Sequence, residues 1–217
     1  MYKKKNIFLN GLVDLAQSRL GTKIVYKTDE FFGPAKRIIC PWSPVFKEGV
    51  FDSHGKWMDG WETRRKRSKG HDFLILKLGR PGIVHKVDID TSYFNGNQPS
   101  QVSLQACFSK KETPNKNSKW ITILNKKSTK PNSHHFFDIK NKSIFTHIKL
   151  NIFPDGGVAR LRIYGSMLTR KKFGKKIINL TSILNGATPI ACNNEHFGRA
   201  ENILAPGSGK NMGDGWE

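Results

Sequence analysis

A chain of 217 residues that is 37% hydrophobic and 25% charged can bury one good domain and part of another, but is tight for two of ordinary size. Its 37 Lys and Arg against 17 Asp and Glu give +20, yet 27 of those cations are Lys scattered among Asn-rich stretches such as 110–119. That is a solvated surface rather than a clustered phosphate-binding stripe, and no nucleic-acid readout motif accompanies it. No apolar run approaches the roughly 18–20 residues that cross a bilayer, and the first nineteen residues lack a signal-peptide pattern, so a cytoplasmic chain with no membrane partner is expected.

In chain order, the predicted strands are Phe73–Leu78, Val84–Asp90, 102–108, Trp120–Leu124, His135–Ile139, 148–152 and Arg160–Tyr164. Their clearest signal is a period of two. Val102, Leu104, Ala106 and Phe108 alternate with Ser103, Gln105 and Cys107, and Ile148, Leu150 and Ile152 alternate with Lys149 and Asn151. Gly, Pro, Asn and Lys clusters separate the strands, and long amphipathic helical patterns are missing. The expectation is an antiparallel all-β sandwich whose alternate residues face water. Cys40, Cys107 and Cys192 are odd in number and far apart, which fits reduced thiols and neither a disulfide framework nor a zinc site.

Residues 165–179 break the pattern with Gly165, Gly174 and a dense Lys/Arg run. Beyond them the chain repeats itself. At a constant offset of 165, Leu15 matches Leu180, Gly21 Gly186, Glu30 Glu195, Phe32 Phe197, Gly33 Gly198, Ala35 Ala200 and Ile38 Ile203. Asp59–Glu62 then returns as Asp214–Glu217 at an offset of 155, as if one loop were ten residues shorter. The predicted organisation is a first repeat over 1–168, a linker over 169–179 and the opening of a second repeat over 180–217. The rest of that second copy is expected beyond Glu217, with the tail mobile or draped on the first repeat.

The stretches GLVDLAQSRLG, TDEFFGPAKRII, GKWMDGWETRRKR, GHDFLILKLGRPGIVHKVDIDTSYFNGN and THIKLNIFPDGGVARLRIYG, in that order, resemble the first repeat of the allantoicases. FGRAENILAPG leading to DGWE resembles the start of their second. The resemblance implies tandem jelly-roll sandwiches of the galactose-binding-like type, and hydrolysis of allantoate to ureidoglycolate and urea. A non-catalytic sandwich that kept the ligand and lost the chemistry is the alternative.

Allantoate is a carboxylate whose neighbouring carbon holds two ureido groups. Its site needs a cationic clamp, urea donors and acceptors, and a proton-transfer group. Arg is the best clamp because its planar fork takes a carboxylate through two parallel hydrogen bonds. In DGWETRRKR, Arg64 and Arg65 are the clamp candidates beside Asp59, with Glu62 for proton transfer; Glu62 and Arg64 share one face of an extended segment and Arg65 and Arg67 the other, so one Arg could instead pair with Glu62. The plain alternative is a basic surface strand with ion pairs worth less than about 1 kcal/mol each.

His71, beside Asp72, is a candidate acid or base, or else a strand-start imidazole bonded to backbone. Asp90, with Asp88 on the same face, and Asn97 after Gly96 could meet the ureido groups, or tie their own turn. Asp155 and Arg160 flank the Gly156–Gly157 turn, where a structural role is expected. His85 with Asp88 and Asp90, and the pair His134–His135, lack HxH, HExxH or Cys/His spacing, so neither metal nor cofactor is expected. The expected partner is the small substrate; self-association is left open.

Overall fold

The computed structural model describes residues 11–115, 117–168, 177–209 and 211–217. Among them twelve strands follow one another: β1 (Val13–Asp14), β2 (Lys23–Lys27), β3 (Phe51–Asp52), β4 (Gly55–Lys56), β5 (Trp61–Glu62), β6 (Asp72–Asp90), β7 (Gln101–Cys107), β8 (Ile121–Ser128), β9 (His134–Asp138), β10 (Ile144–Phe153), β11 (Gly157–Val158) and β12 (Arg160–Met167). The helical turns between and after them, among the described residues, are 3-10 pieces of at most five residues. All strand pairings are antiparallel, as a sandwich of hairpins and Greek-key returns requires.

β6 shapes the whole. Its first half pairs with β2 on one edge and β10 on the other, and β7 and β8 extend that layer. Its second half pairs with β9 and β12, and β1 extends that layer. The sequence suggests two strands, 73–78 and 84–90, with a Gly-Arg-Pro-Gly turn between. The structure has one strand of 19 residues that carries those glycines round a corner. A Cβ on Gly79 would lie 1.9 Å from the Leu20 carbonyl oxygen, and one on Gly82 2.7 Å from that of Ser166, so only glycine lets the corner close on its neighbours.

Leu74 and Leu76 from the first half of β6 and Val87 and Ile89 from the second meet Leu104, Leu150, Leu161 and Ile163 in one core. Each such side chain contributes roughly 1.5–3 kcal/mol when fully buried. Val102, Leu104 and Ala106 point inward as the alternation predicts. Phe108 does not: β7 ends at Cys107, and Phe108 is exposed. Cys107 on the opposite face is buried instead, on the strand edge where the chain passes back toward β10. There the Glu112 carbonyl accepts from Nε2 of His147, the register partner of Cys107, at 3.0 Å.

The outer face of the second layer departs further from the expected solvated pattern. Asp88, Asp90, Arg160 and Arg162 all lie there and are buried. Residues 40–44 cover them, and the arginines satisfy that loop's backbone. Arg162 donates to the Cys40 and Trp42 carbonyls at 2.6 and 2.9 Å, and Arg160 Nε to that of Trp42 at 2.8 Å. Burying a polar face is tolerable only when its donors and acceptors are matched in this way.

Several hydrogen bonds of the first copy recur in the second. Phe32 and Gly33 N–H donate to the Glu62 carbonyl at 3.2 and 3.1 Å, and Phe197 and Gly198 donate to that of Glu217 at 2.9 and 3.0 Å. Trp61 Nε1 donates to the Asp29 carbonyl at 2.8 Å, and Trp216 Nε1 to the Asn194 carbonyl at 2.6 Å. The Glu30 carboxylate caps Ala35 N at 2.9 Å, and Glu195 caps Ala200 N at 3.1 Å. The second frame leaves more apolar surface open: Leu180 and Phe197 are 78% and 73% exposed. It nonetheless rests on the sandwich through buried Ile183, an Arg19–Asn202 hydrogen bond of 2.9 Å and a Trp42–Asp214 contact.

Candidate active site

The segment that begins with β5 is held at one end of the sandwich by short antiparallel bridges, to Gly33 on one side and β11 on the other. Trp61 and Thr63 turn inward and are buried, so Glu62 and Arg64 turn outward together. Gly157, the register partner of Glu62, has its N–H bonded to the Asn97 carbonyl at 2.7 Å, which brings the 96–98 turn alongside β5.

Glu62 and Asn97 meet there. Asn97 Nδ2 donates to Glu62 Oε1 at 2.8 Å. Burial pushes the Glu62 carboxyl above its ordinary range; the Asn97 hydrogen bond pulls it down in part, and Asp52 pushes it up a little further. A half-buried carboxyl that holds its proton more tightly than usual can give it to a leaving group.

Arg64 pairs with Asp29, not with Glu62. Its Nε and Nη2 donate to Asp29 Oδ1 at 3.0 and 2.8 Å, and its backbone N–H donates to Oδ2 at 2.7 Å. The guanidinium stacks 5.3 Å from the centre of the Phe31 ring, and His54 lies 4.2 Å from Phe31 on another side. These contacts occupy one edge and one face of the fork and leave the Nη1–Nη2 edge toward solvent, on a side chain 65% exposed. Burial raises the Asp29 carboxyl, but the Arg64 and Phe31 hydrogen bonds outweigh it and hold it below the usual range.

The other candidates lie elsewhere. Arg65 is exposed. Asp59 is bound at 2.7 Å to Arg160, which is fully buried, and also accepts from Val45 N at 3.0 Å, so its acceptors are already occupied. His71 Nε2 donates to Asn151 Oδ1 at 3.1 Å and its ring packs on Phe153, while its neighbour Asp72 pairs with Lys66. Asp155 caps the Lys66 N–H at 2.7 Å.

Asp90 accepts from Ser92 N at 2.8 Å and, with Asp88, lines a polar cavity of about 290 Å³ with Ser43, His134, Arg162 and Arg199. Asp88 and His134 share a 2.7 Å hydrogen bond. That bond raises the imidazole pKa above its ordinary value against the effect of burial. Burial raises Asp88 in turn, only partly offset by His134. No group of three or more His, Cys, Asp or Glu among the described residues is arranged to hold a metal ion.

The family model of the allantoicase repeat matches residues 13–168. The chain belongs to the allantoicase family. It is 50% identical over 207 residues to a probable allantoicase of Pseudomonas fluorescens strain SBW25, a match that takes in 94% of this chain and 62% of that protein. It superposes on the crystal structure of the Saccharomyces cerevisiae allantoicase with a TM-score of 0.82 at 37% identity, over 96% of this chain and 63% of that one. The chain therefore spans a little over three fifths of the length of these allantoicases. A carbohydrate-binding module of a Clostridium perfringens glycoside hydrolase shares the sandwich alone, with a TM-score of 0.52 at 11% identity.

Asp29 and Phe31, which fix Arg64, are not among the residues that sequence reasoning selects in this allantoicase repeat. The motif that holds them, TDEFFG, stands 35 residues before Arg64, and nothing in the spacing says that its carboxylate returns to that arginine. At the constant offset the counterpart of Asp29 is Asn194, and of the six residues of this motif only Glu30, Phe32 and Gly33 recur.

Proposed function

We propose that the chain contributes to hydrolysis of allantoate to ureidoglycolate and urea at the cluster of Glu62, Arg64 and Asn97, in the cytoplasm. The Nη1–Nη2 edge of Arg64 takes the substrate carboxylate in a two-bond fork. In its protonated form Glu62 gives its proton to the ureido nitrogen as the bond from that nitrogen to the central carbon breaks and urea departs, the lone pair of the second ureido nitrogen taking up the positive charge left on that carbon. Its carboxylate then takes a proton from the water whose oxygen bonds to that carbon. Asn97 fixes the rotamer of Glu62, and its amide is placed to meet the second ureido group.

One observation carries this reading: a half-buried carboxyl with raised proton affinity stands two residues from an arginine already anchored on one edge and open on the other. Urea release from allantoate tests it. Glu62→Gln is expected to lower kcat at least a hundredfold, and Arg64→Ala to raise KM by tenfold or more. Allantoate binding without any urea release would leave the ligand-binding sandwich as the better account, and full activity in both variants would remove this site.

A further inference from the structure

We infer that Asp29 is a positioning residue for Arg64, holding its guanidinium so that the open edge can take an anion. This rests on the reading of Arg64 as the carboxylate clamp and goes one step further. Asp29 accepts three N–H bonds from the one residue, two from the guanidinium and one from the backbone, at 2.7 to 3.0 Å. Its backbone carbonyl is fixed in turn by Trp61 Nε1. With its guanidinium carbon 5.3 Å over the Phe31 ring and three N–H bonds to Asp29, the arginine has one edge left and less rotamer freedom to lose when a ligand arrives, which favours tight binding.

The second frame reproduces the backbone support around that position. Asn194 receives Trp216 Nε1 on its carbonyl as Asp29 receives Trp61, and the Glu195, Gly198 and Glu217 bonds follow those of Glu30, Gly33 and Glu62. Position 194 carries an amide where position 29 carries a carboxylate, and His196 stands where the first copy has Phe31. A neutral amide can accept one N–H from a guanidinium but supplies no charge to hold it against solvent, and its NH₂ end repels the fork.

The test is a double-mutant cycle on the full chain, read as allantoate affinity by titration calorimetry and as KM and kcat for urea release. Asp29→Asn, which copies the second frame, is expected to weaken affinity about tenfold with kcat within twofold, and to have no further effect in the Arg64→Ala background. Asp29→Glu, which keeps the charge, should recover part of the loss. It also serves if Asp29→Asn folds poorly by thermal melting. Equal losses in both backgrounds, or none in the wild-type background, would overturn the positioning role while leaving the clamp. If Arg64→Ala alone leaves allantoate affinity unchanged, the clamp itself fails, and this inference with it.

Discussion

Glu62 carries a cost that its function explains. Folding places its carboxyl where burial favours the protonated form, so its folded pKa lies above the unfolded value. Its contribution to stability is then fully present below the ordinary Glu range near 4.3 and is lost as pH rises through the folded pKa. Glu62→Gln keeps an oxygen for Asn97 and removes the ionisation. The variant should melt at a higher temperature than wild type at pH 7, and the gap should close as pH falls to about 4. A variant less stable than wild type at neutral pH would mean that Glu62 is held as a favourably solvated carboxylate. The residue could be chosen from sequence because it sits between Trp61 and two arginines. Its state could not, since the desolvation comes from strands and turns 35 and 95 residues away.

At the scale of elements, the longer strands from β6 onward were legible because one side of each meets a single core and period-two alternation records that contact, whereas β1 to β5 and β11, most of them two residues long, leave no such period. Legibility failed where a second cover exists. Asp88, Asp90, Arg160 and Arg162 look like solvent-facing alternates, and they are buried because residues 40–44 lie across them with carbonyls turned to the arginines. The Gly79–Gly82 corner failed for a related reason: a turn composition was used to bend a strand without ending its ladder. The β5 bridge has a sharper sequence mark in Gly33. A Cβ there would sit 2.4 Å from the Gly60 carbonyl oxygen, a backbone atom that cannot rotate away. Gly33→Ala should therefore cost about 1–3 kcal/mol in urea unfolding and disturb Glu62 through its paired backbone. Gly198→Ala meets the Gly215 oxygen at 2.1 Å in the second frame. With much of that frame's apolar surface open, the change should loosen exchange of the Glu217 amide and leave the global midpoint within about 0.5 kcal/mol. Equal global losses would show the two frames to be one cooperative unit.

For the whole molecule, the question is how firmly the second frame belongs to the sandwich. Ile183 joins the main core, with Leu184 and Leu204 packed against it, and Arg199 lies 5.8 Å over the ring of Tyr164. Tyr164 is buried beneath this cover, and that burial is the main cause that raises its phenol above the ordinary value; Arg199 lowers it somewhat. A chain ended at residue 176 loses Ile183 and the lid over Tyr164 but keeps every strand. It should still unfold in one step, with stability lower by about 2 kcal/mol, the order expected for one buried branched side chain. The more specific signature is optical. As the cover goes, the Tyr164 phenol should titrate at a lower pH, nearer 10, visible as an earlier rise in absorbance near 295 nm that Tyr164→Phe abolishes. If the shortened chain gives the same phenol titration as the longer one, the burial of Tyr164 belongs to the first repeat alone, and the second frame is a neighbour rather than part of its outer wall.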